Sequence, residues 1–179
     1  MWGWTLVLAA LACIVMMIWP RWRVEQPIVS LVLHLAVAAP FVALASRFIT
    51  NDTSILHVAL NGGEDLPLKY RFAATWAARE GPLLLWAACC GIISLVNEIF
   101  PQKSESWKLS TKILDCFTLC LLLIAISLDP FELKPENSLI ISSGLNPLLQ
   151  TNLMVIHPPL IFAFYSTCVW AVSYTHLTL

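Results

Sequence analysis

Residues 28–46 read Ile28-Val29-Ser30-Leu31-Val32-Leu33-His34-Leu35-Ala36-Val37-Ala38-Ala39-Pro40-Phe41-Val42-Ala43-Leu44-Ala45-Ser46, a run without Asp, Glu, Lys or Arg. A helix that crosses a bilayer needs about 20 mostly apolar residues, and this run has that length. Four other stretches share its character, at 2–19, 82–100, 112–128 and 158–179. The expected fold is therefore all-α, a polytopic helical membrane protein of about five transmembrane helices. Composition agrees: the 179 residues are 59% hydrophobic and 12% charged, against about 25% charged in soluble domains. A net charge of -1 offers no basic patch or stripe, so nucleic acid is excluded as a partner and membrane lipid takes its place.

The first span lacks a positive n-region, and Arg21 and Arg23 follow its apolar part. That order is the reverse of a cleavable signal peptide, so the span is read as a retained anchor with its N-terminus outside. Five Lys and Arg (Arg21, Arg23, Lys103, Lys108, Lys112) fall in residues 20–27 and 101–112, and five (Arg47, Lys69, Arg71, Arg79, Lys134) fall in the two opposite loops. Equal totals do not decide orientation, but the positive-inside bias acts mainly through short loops. The short basic loops are placed in the cytosol, which leaves loops 47–81 and 129–157 outside.

Within the first outer loop, Ile55 to Leu60 reads as a short extended segment stopped by Asn61-Gly62-Gly63. His57 lies in it and reads as an ordinary exposed histidine. Tyr70, Phe72, Ala73, Trp76 and Ala77 then recur at helical spacing, which predicts an interfacial helix over Lys69 to Glu80, with Trp76 and Trp86 as headgroup anchors. Six cysteines (Cys13, Cys89, Cys90, Cys116, Cys120, Cys168) all sit in apolar runs, where free Cys packs as a small hydrophobe. Cys116 and Cys120 share a helix face but lack a third ligand at metal spacing, so core packing is the expectation for them. Charge at a bilayer centre costs about 3 kcal/mol, and Glu98, Asp115 and Asp129 are placed near span ends, within reach of water. His34 lies deeper; function or a hydrogen bond to a neighbouring helix both account for it.

The richest polar stretch is Gly144-Leu145-Asn146-Pro147-Leu148-Leu149-Gln150-Thr151-Asn152, running through Leu153 to Ile156 into His157-Pro158-Pro159-Leu160. Proline biases the residue before it away from the α region and is tolerated in a first helical turn. His157 is therefore expected just outside the last helix, its ring held neutral by the helix N-terminus and free to ligate a metal or haem iron. A capping hydrogen bond is the plainer role for a lone histidine there.

Two stretches carry a resemblance. Tyr70-Arg71-Phe72-Ala73-Ala74-Thr75-Trp76-Ala77-Ala78-Arg79-Glu80-Gly81-Pro82-Leu83-Leu84-Leu85-Trp86 resembles one signature of the cytochrome c maturation haem lyase family CcmF and its CcsA-type relatives. Leu145-Asn146-Pro147-Leu148-Leu149-Gln150 with His157-Pro158-Pro159-Leu160 resembles another. Asn51-Asp52 and Asp129-Pro130-Phe131 also look like family positions, so the likeness covers about residues 50 to 165. It departs from the family at Ala77, Ala78, Arg79 and Pro82, where members often carry Gly, His or Gln, and Ser, and it fades over Ser173 to Leu179, where the polarity interrupts the fifth span.

The resemblance implies a protein of the bacterial inner membrane, less readily the mitochondrial one, with the N-terminus and His157 on the periplasmic side. It implies haem as cofactor, the haem chaperone CcmE, apocytochrome c and thiol-handling maturation subunits as partners, and covalent attachment of haem to the Cys-x-x-Cys-His motif of apocytochrome c. His157 takes the place of an external axial ligand, within a motif that includes Asn146, Pro158 and Pro159. Trp76 with Arg71 or Arg79 is expected to supply an aromatic platform and cations for the propionates. The family's second external ligand and Trp-rich segment have no counterpart here, so residues 1–179 are expected to be a single N-terminal transmembrane fragment. A transporter with a broken-helix site at His34 and Pro40, or a structural subunit without haem, is the alternative.

Overall fold

The computed structural model describes residues 3–18, 26–99, 104–135 and 144–178; Arg21, Arg23 and Lys103 of the basic loops lie outside them. Among the described residues seven α-helices follow in order: α1 (Trp4–Ile18), α2 (Pro27–Thr50), α3 (Leu56–Asn61), α4 (Leu68–Ala74), α5 (Glu80–Ile99), α6 (Glu105–Leu128) and α7 (Asn152–Thr178). A 3-10 turn at Pro147–Leu149 precedes α7. Four of them, α2, α5, α6 and α7, are long and apolar enough to cross a membrane, and α1 is a shorter apolar helix. No strand forms among the described residues; a lone bridge joins Ile55 to Leu133. The chain is an all-α polytopic membrane protein.

Helix α1 packs on α2 and α6, α2 on α5, and α5 on α6, so these four close a ring, with α7 laid outside against α5 and α6. Lipid removes the hydrophobic drive between helices, and close van der Waals contact between small residues replaces it. Ala9, Ala12, Cys13, Ala87 and Cys90 accordingly fill the centre. Where α2 crosses α5, a Cβ on Gly91 would stand 3.0 Å from Val37 Cγ1. Only Ser166 of α7 is buried, and its outward Leu160 and Phe164 present an apolar face suited to lipid.

Helices α2 and α6 end, and α5 and α7 begin, at one end of the ring, which gathers residues 51–79, 129–135 and 144–151 there. Each descending helix stops on a residue with positive φ, Asn51 (53°) and Asp129 (44°), the residue types that tolerate the left-handed region best after glycine. The amides of Asn51 and Asp52 return to Phe48 and Arg47 carbonyls. The two loops then knit: the Leu56 amide donates to the Glu132 carbonyl at 2.9 Å, and the Lys134 amide to Ser54 at 2.8 Å.

Several expectations need correction. The segment expected to be extended over Ile55 to Leu60 is the helix α3; only Ile55 pairs as a strand residue, and Val58 and Ala59 are buried at helical spacing. His57 is buried, 8% exposed, because α3 turns it against Phe48 at 5.1 Å between ring centres. The helix expected to run to Glu80 stops at Ala74, and a bend over residues 75–79 aims the chain into α5. Cys116 and Cys120 lie on the outer face of α6, not in the core. Asp115 is 2% exposed and accepts from Ser94 Oγ at 2.9 Å; α6 starts at Glu105, so Asp115 sits in mid-helix rather than at a span end. Trp76 is buried, 4% exposed, instead of reaching headgroups. Ser173 to Thr178 continue α7, their hydroxyls bonding back to carbonyls of the preceding turn, as Ser173 Oγ does to Val169 at 2.6 Å.

At the opposite end, His34 Nδ1 lies 2.8 Å from the Ser30 carbonyl of its own helix, and Nε2 lies 3.7 Å from Glu98 Oε1 on α5. The Ser30 hydroxyl donates to Glu98. The buried histidine thus joins two helices through a carboxylate partner.

Candidate functional site at the loop end of the bundle

His157 stands at this end, exposed, in the second turn of α7. It is not outside the helix as the two prolines suggested. The helix opens five residues earlier, at Asn152, and the Thr151 hydroxyl accepts from the Met154 amide at 3.3 Å. Pro158 and Pro159 are inside the helix. A helical N–H bonds to the carbonyl four residues back, so Pro158 leaves the Met154 carbonyl without its usual donor. Trp76 Nε1 takes that carbonyl at 2.9 Å, and the helix continues through the prolines. No hydrogen bond to the His157 ring is found among the described residues.

The other residues of the two motifs hold this end together. Arg71 Nε donates to the Leu66 carbonyl at 3.0 Å, Nη1 to Ile49 at 3.4 Å, and Nη2 to Glu64. One guanidinium fork thereby joins two carbonyls of the first outer loop to one at the end of α2, a task suited to arginine's fixed fan of donors. Asn146 Oδ1 accepts from the Leu148 amide at 3.0 Å and caps the 3-10 turn, and Lys69 Nζ reaches Asn152 Oδ1 at 2.8 Å, tying α4 to the start of α7. Arg79 is different: its side chain is 76% exposed and bonds Glu80 Oε1 at 2.9 Å, so its charge stays available to solvent. Trp76 packs with Phe72, Ala73 and Leu85 against Met154, Val155 and Phe162, its ring 4.9 Å from Phe72 in an edge arrangement.

Gly81 explains how the bend at 75–79 closes. A Cβ there would lie 1.6 Å from the Thr75 carbonyl oxygen, so only glycine admits this approach. Beside it lies a cleft of about 460 Å³ lined by His57, Asn61, Arg79, Glu80, Asp129 and Glu132 together with Leu56 and Leu128. Burial holds His57 below the ordinary histidine range; the Glu80 carboxylate, 3.9 Å from Nδ1, and the Thr75 carbonyl pull it back up by less. Asp52 is held low mainly by the Ser54 hydroxyl, at 2.6 Å, with Arg47 adding to the effect. Sequence reasoning missed His57, Gly81 and the Trp76 to Met154 bond. The bond's one signal in the sequence is the pair of prolines, each of which removes a helical donor.

For haem, the donor set present fits one axial position. An imidazole that is exposed and bonded to no described protein group is a competent iron ligand, and no group of three or more His, Cys, Asp or Glu that could hold a bare metal ion occurs among the described residues.

Fold and site together define a polytopic helical membrane protein that presents an accessible imidazole at one end of a helix bundle, above a hydrogen-bonded loop layer. The family described as Cytochrome C assembly protein matches residues 76–179. The chain belongs to that family, as a member of the CcmF/CcsA-type cytochrome c biogenesis proteins. It is 31% identical over 173 residues to the cytochrome c-type biogenesis protein CcmF of Escherichia coli (strain K12), covering 89% of this chain and 27% of that one. It is 32% identical over 133 residues to CcmF of Pseudomonas aeruginosa, covering 72% and 20%. With NrfE of Haemophilus influenzae, another cytochrome c-type biogenesis protein, it shares 28% over 141 residues, covering 76% and 22%. The chain thus spans about a quarter of the length of the curated relatives it matches. No solved structure matches it significantly.

Proposed function

We propose that this chain forms the first part of a haem lyase of cytochrome c biogenesis, which attaches haem covalently to apocytochrome c at the outer face of the bacterial inner membrane. His157 is one axial ligand of the haem. The observation that supports this most directly is its placement: exposed on the long helix α7, at the end where both outer loops gather, with no hydrogen bond to its ring from a described residue. Bound haem would supply the vinyl groups that accept the cysteine thiols. This chain's own residues do three things toward that. His157 offers the imidazole, Arg79 holds a solvent-exposed cation suited to a propionate, and Arg71, Trp76 and Asn146 keep the outer turns in place.

The apolar surface of α7 below His157 suits lipid or the porphyrin edge, which favours a site at the membrane boundary. Haem delivered by the chaperone CcmE, an apocytochrome c client and thiol-handling subunits are the partners this reading requires. Co-expressed with a haem source, the haem lyase carrying this chain should show a histidine-ligated haem spectrum that weakens in His157→Ala. An unchanged spectrum with undiminished cytochrome c maturation would sink the ligand role. For orientation, single cysteines placed at Asn146 and Ser104, in a background lacking the native ones, should be reached by an impermeant thiol reagent from outside and from inside respectively; the opposite labelling rejects the periplasmic placement.

A further inference from the structure

Helix α7 carries two prolines in its second turn, directly after His157, and each removes one donor from the helical ladder. The carbonyls so released belong to Met154 and Val155. A released carbonyl packed against protein needs a donor from elsewhere. The donor to Met154 comes from the other family stretch, where Trp76 Nε1 lies 2.9 Å from the oxygen. The indole is 4% exposed and enclosed by Phe72, Ala73, Leu85, Val155 and Phe162, so its direction is set by packing on both sides. It cannot turn to another acceptor without leaving that pocket. Met154 stands three residues before His157, and residues at that spacing are neighbours on a helix surface.

We propose that Trp76 is a positioning residue for His157: its indole N–H replaces the backbone donor that Pro158 lacks and thereby fixes the outer turns of α7, and the imidazole they carry, against the layer formed by α4 and the bend before α5. The functional meaning of this rests on the reading of His157 as a haem ligand; the exchange of donors does not. It also accounts for the otherwise costly prolines inside α7. They free a carbonyl so that the first outer loop can grip the helix that bears the histidine. Gly81 serves the same grip, since the contact of the Thr75 carbonyl with its bare Cα sets where residue 76 begins.

The alternative is that Trp76 only fills space, and the two are separable because the missing donor can be restored. Trp76→Phe keeps an aromatic ring and loses the N–H; Pro158→Ala returns an N–H to residue 158, which can bond Met154 within the helix. The experiment is hydrogen exchange of the α7 amides at residues 155–157 in lipid nanodiscs, on the whole chain, for both single variants and the double variant. One net hydrogen bond corresponds to about five- to tenfold in a local opening equilibrium. Trp76→Phe alone should speed exchange there by about that factor, whereas in the Pro158→Ala background the same change should alter it by less than about twofold. Equal effects in both backgrounds, or no effect in either, overturn the proposal and leave Trp76 a space-filler.

The link to the imidazole is read by selectively labelled histidine NMR. The His157 ring resonance should shift or broaden in Trp76→Phe and return towards the wild-type signal in the double variant; an unmoved signal limits Trp76 to the backbone and overturns the positioning role. These readouts contain no haem. If they succeed while His157→Ala leaves the haem spectrum intact, the ligand reading fails and the donor exchange stands. If the exchange coupling is absent, this inference fails whatever the spectrum shows.

Discussion

Replacing Gly81 with alanine tests whether the loop layer is held as described. The new Cβ would meet the Thr75 carbonyl oxygen at 1.6 Å, its carbon at 2.6 Å and Trp76 Cα at 3.1 Å. Real Cβ atoms essentially never approach other atoms within 3.0 Å, so the two backbone segments must part by about 1.4 Å. Backbone, not a flexible side chain, is the obstacle, which places the overpacking cost near the upper end of about 1–3 kcal/mol. A shift of that size carried into Trp76 also breaks its 2.9 Å bond to Met154, adding about 1 kcal/mol net. The expected loss is about 3–4 kcal/mol. Reversible unfolding of the detergent-solubilised chain by added dodecyl sulfate, followed by tryptophan fluorescence, reads it. Gly63→Ala is the control, because its Cβ would meet only the Leu66 side chain at an ordinary 3.5 Å. If the two variants unfold within about 1 kcal/mol of each other, the close approach of Thr75 to Gly81 is not what shapes this end of the protein.

The remaining predictions concern other supports of the same frame. Above about pH 6.5 both folded and unfolded His57 are neutral; as pH falls through that value the unfolded chain takes the proton first, because burial holds the folded pKa lower, so stability should fall from pH 7.5 to 5.5. His57→Gln should remove this part of the pH dependence, and an identical slope in that variant refutes the assignment. Ser94→Ala removes a buried donor to Asp115 and should cost about 1 kcal/mol in the same unfolding assay; a double-mutant cycle with Asp115→Asn should show coupling, and additive effects would deny the contact. Arg71→Lys leaves a compact ammonium where a fork gathered three carbonyls, so about 1.5–3 kcal/mol should be lost and limited proteolysis within residues 62–67 should quicken; an unchanged cleavage rate would reject the clamp.

The motifs were legible as motifs, yet the work of their residues was not. In the first stretch Trp76, Arg71 and Arg79 looked alike as aromatic and cationic groups facing outward. Folding divides them: Arg79 stays in solvent, Arg71 is occupied by three carbonyls, and Trp76 is buried with its one donor committed. Composition and periodicity do not encode that division: Arg71 meets Leu66 and Glu64 only because its own loop folds back, it meets Ile49 at the end of α2, and Trp76 and Met154 are 78 residues apart. His57 failed in the same way. Its neighbours alternate weakly enough to pass for a strand, and its burial depends on Phe48 at the end of α2 and on Glu80 at the start of α5.

What the sequence determined by itself is what lipid demands of any chain. Long apolar runs must satisfy their backbone polar groups internally, so they become helices and reveal their number without knowledge of their neighbours. It also carried the family resemblance and the prolines beside His157. Tertiary structure alone decided where the hydrogen bonds missing from those helices are made. Proline's local preferences argued for a helix beginning at residue 158, whereas α7 begins at Asn152 and runs through both prolines, since a donor from a distant loop replaces the one that proline withholds. A rule written for an isolated helix prices only the lost bond; the folded protein supplies its substitute, and that substitution sets where His157 stands.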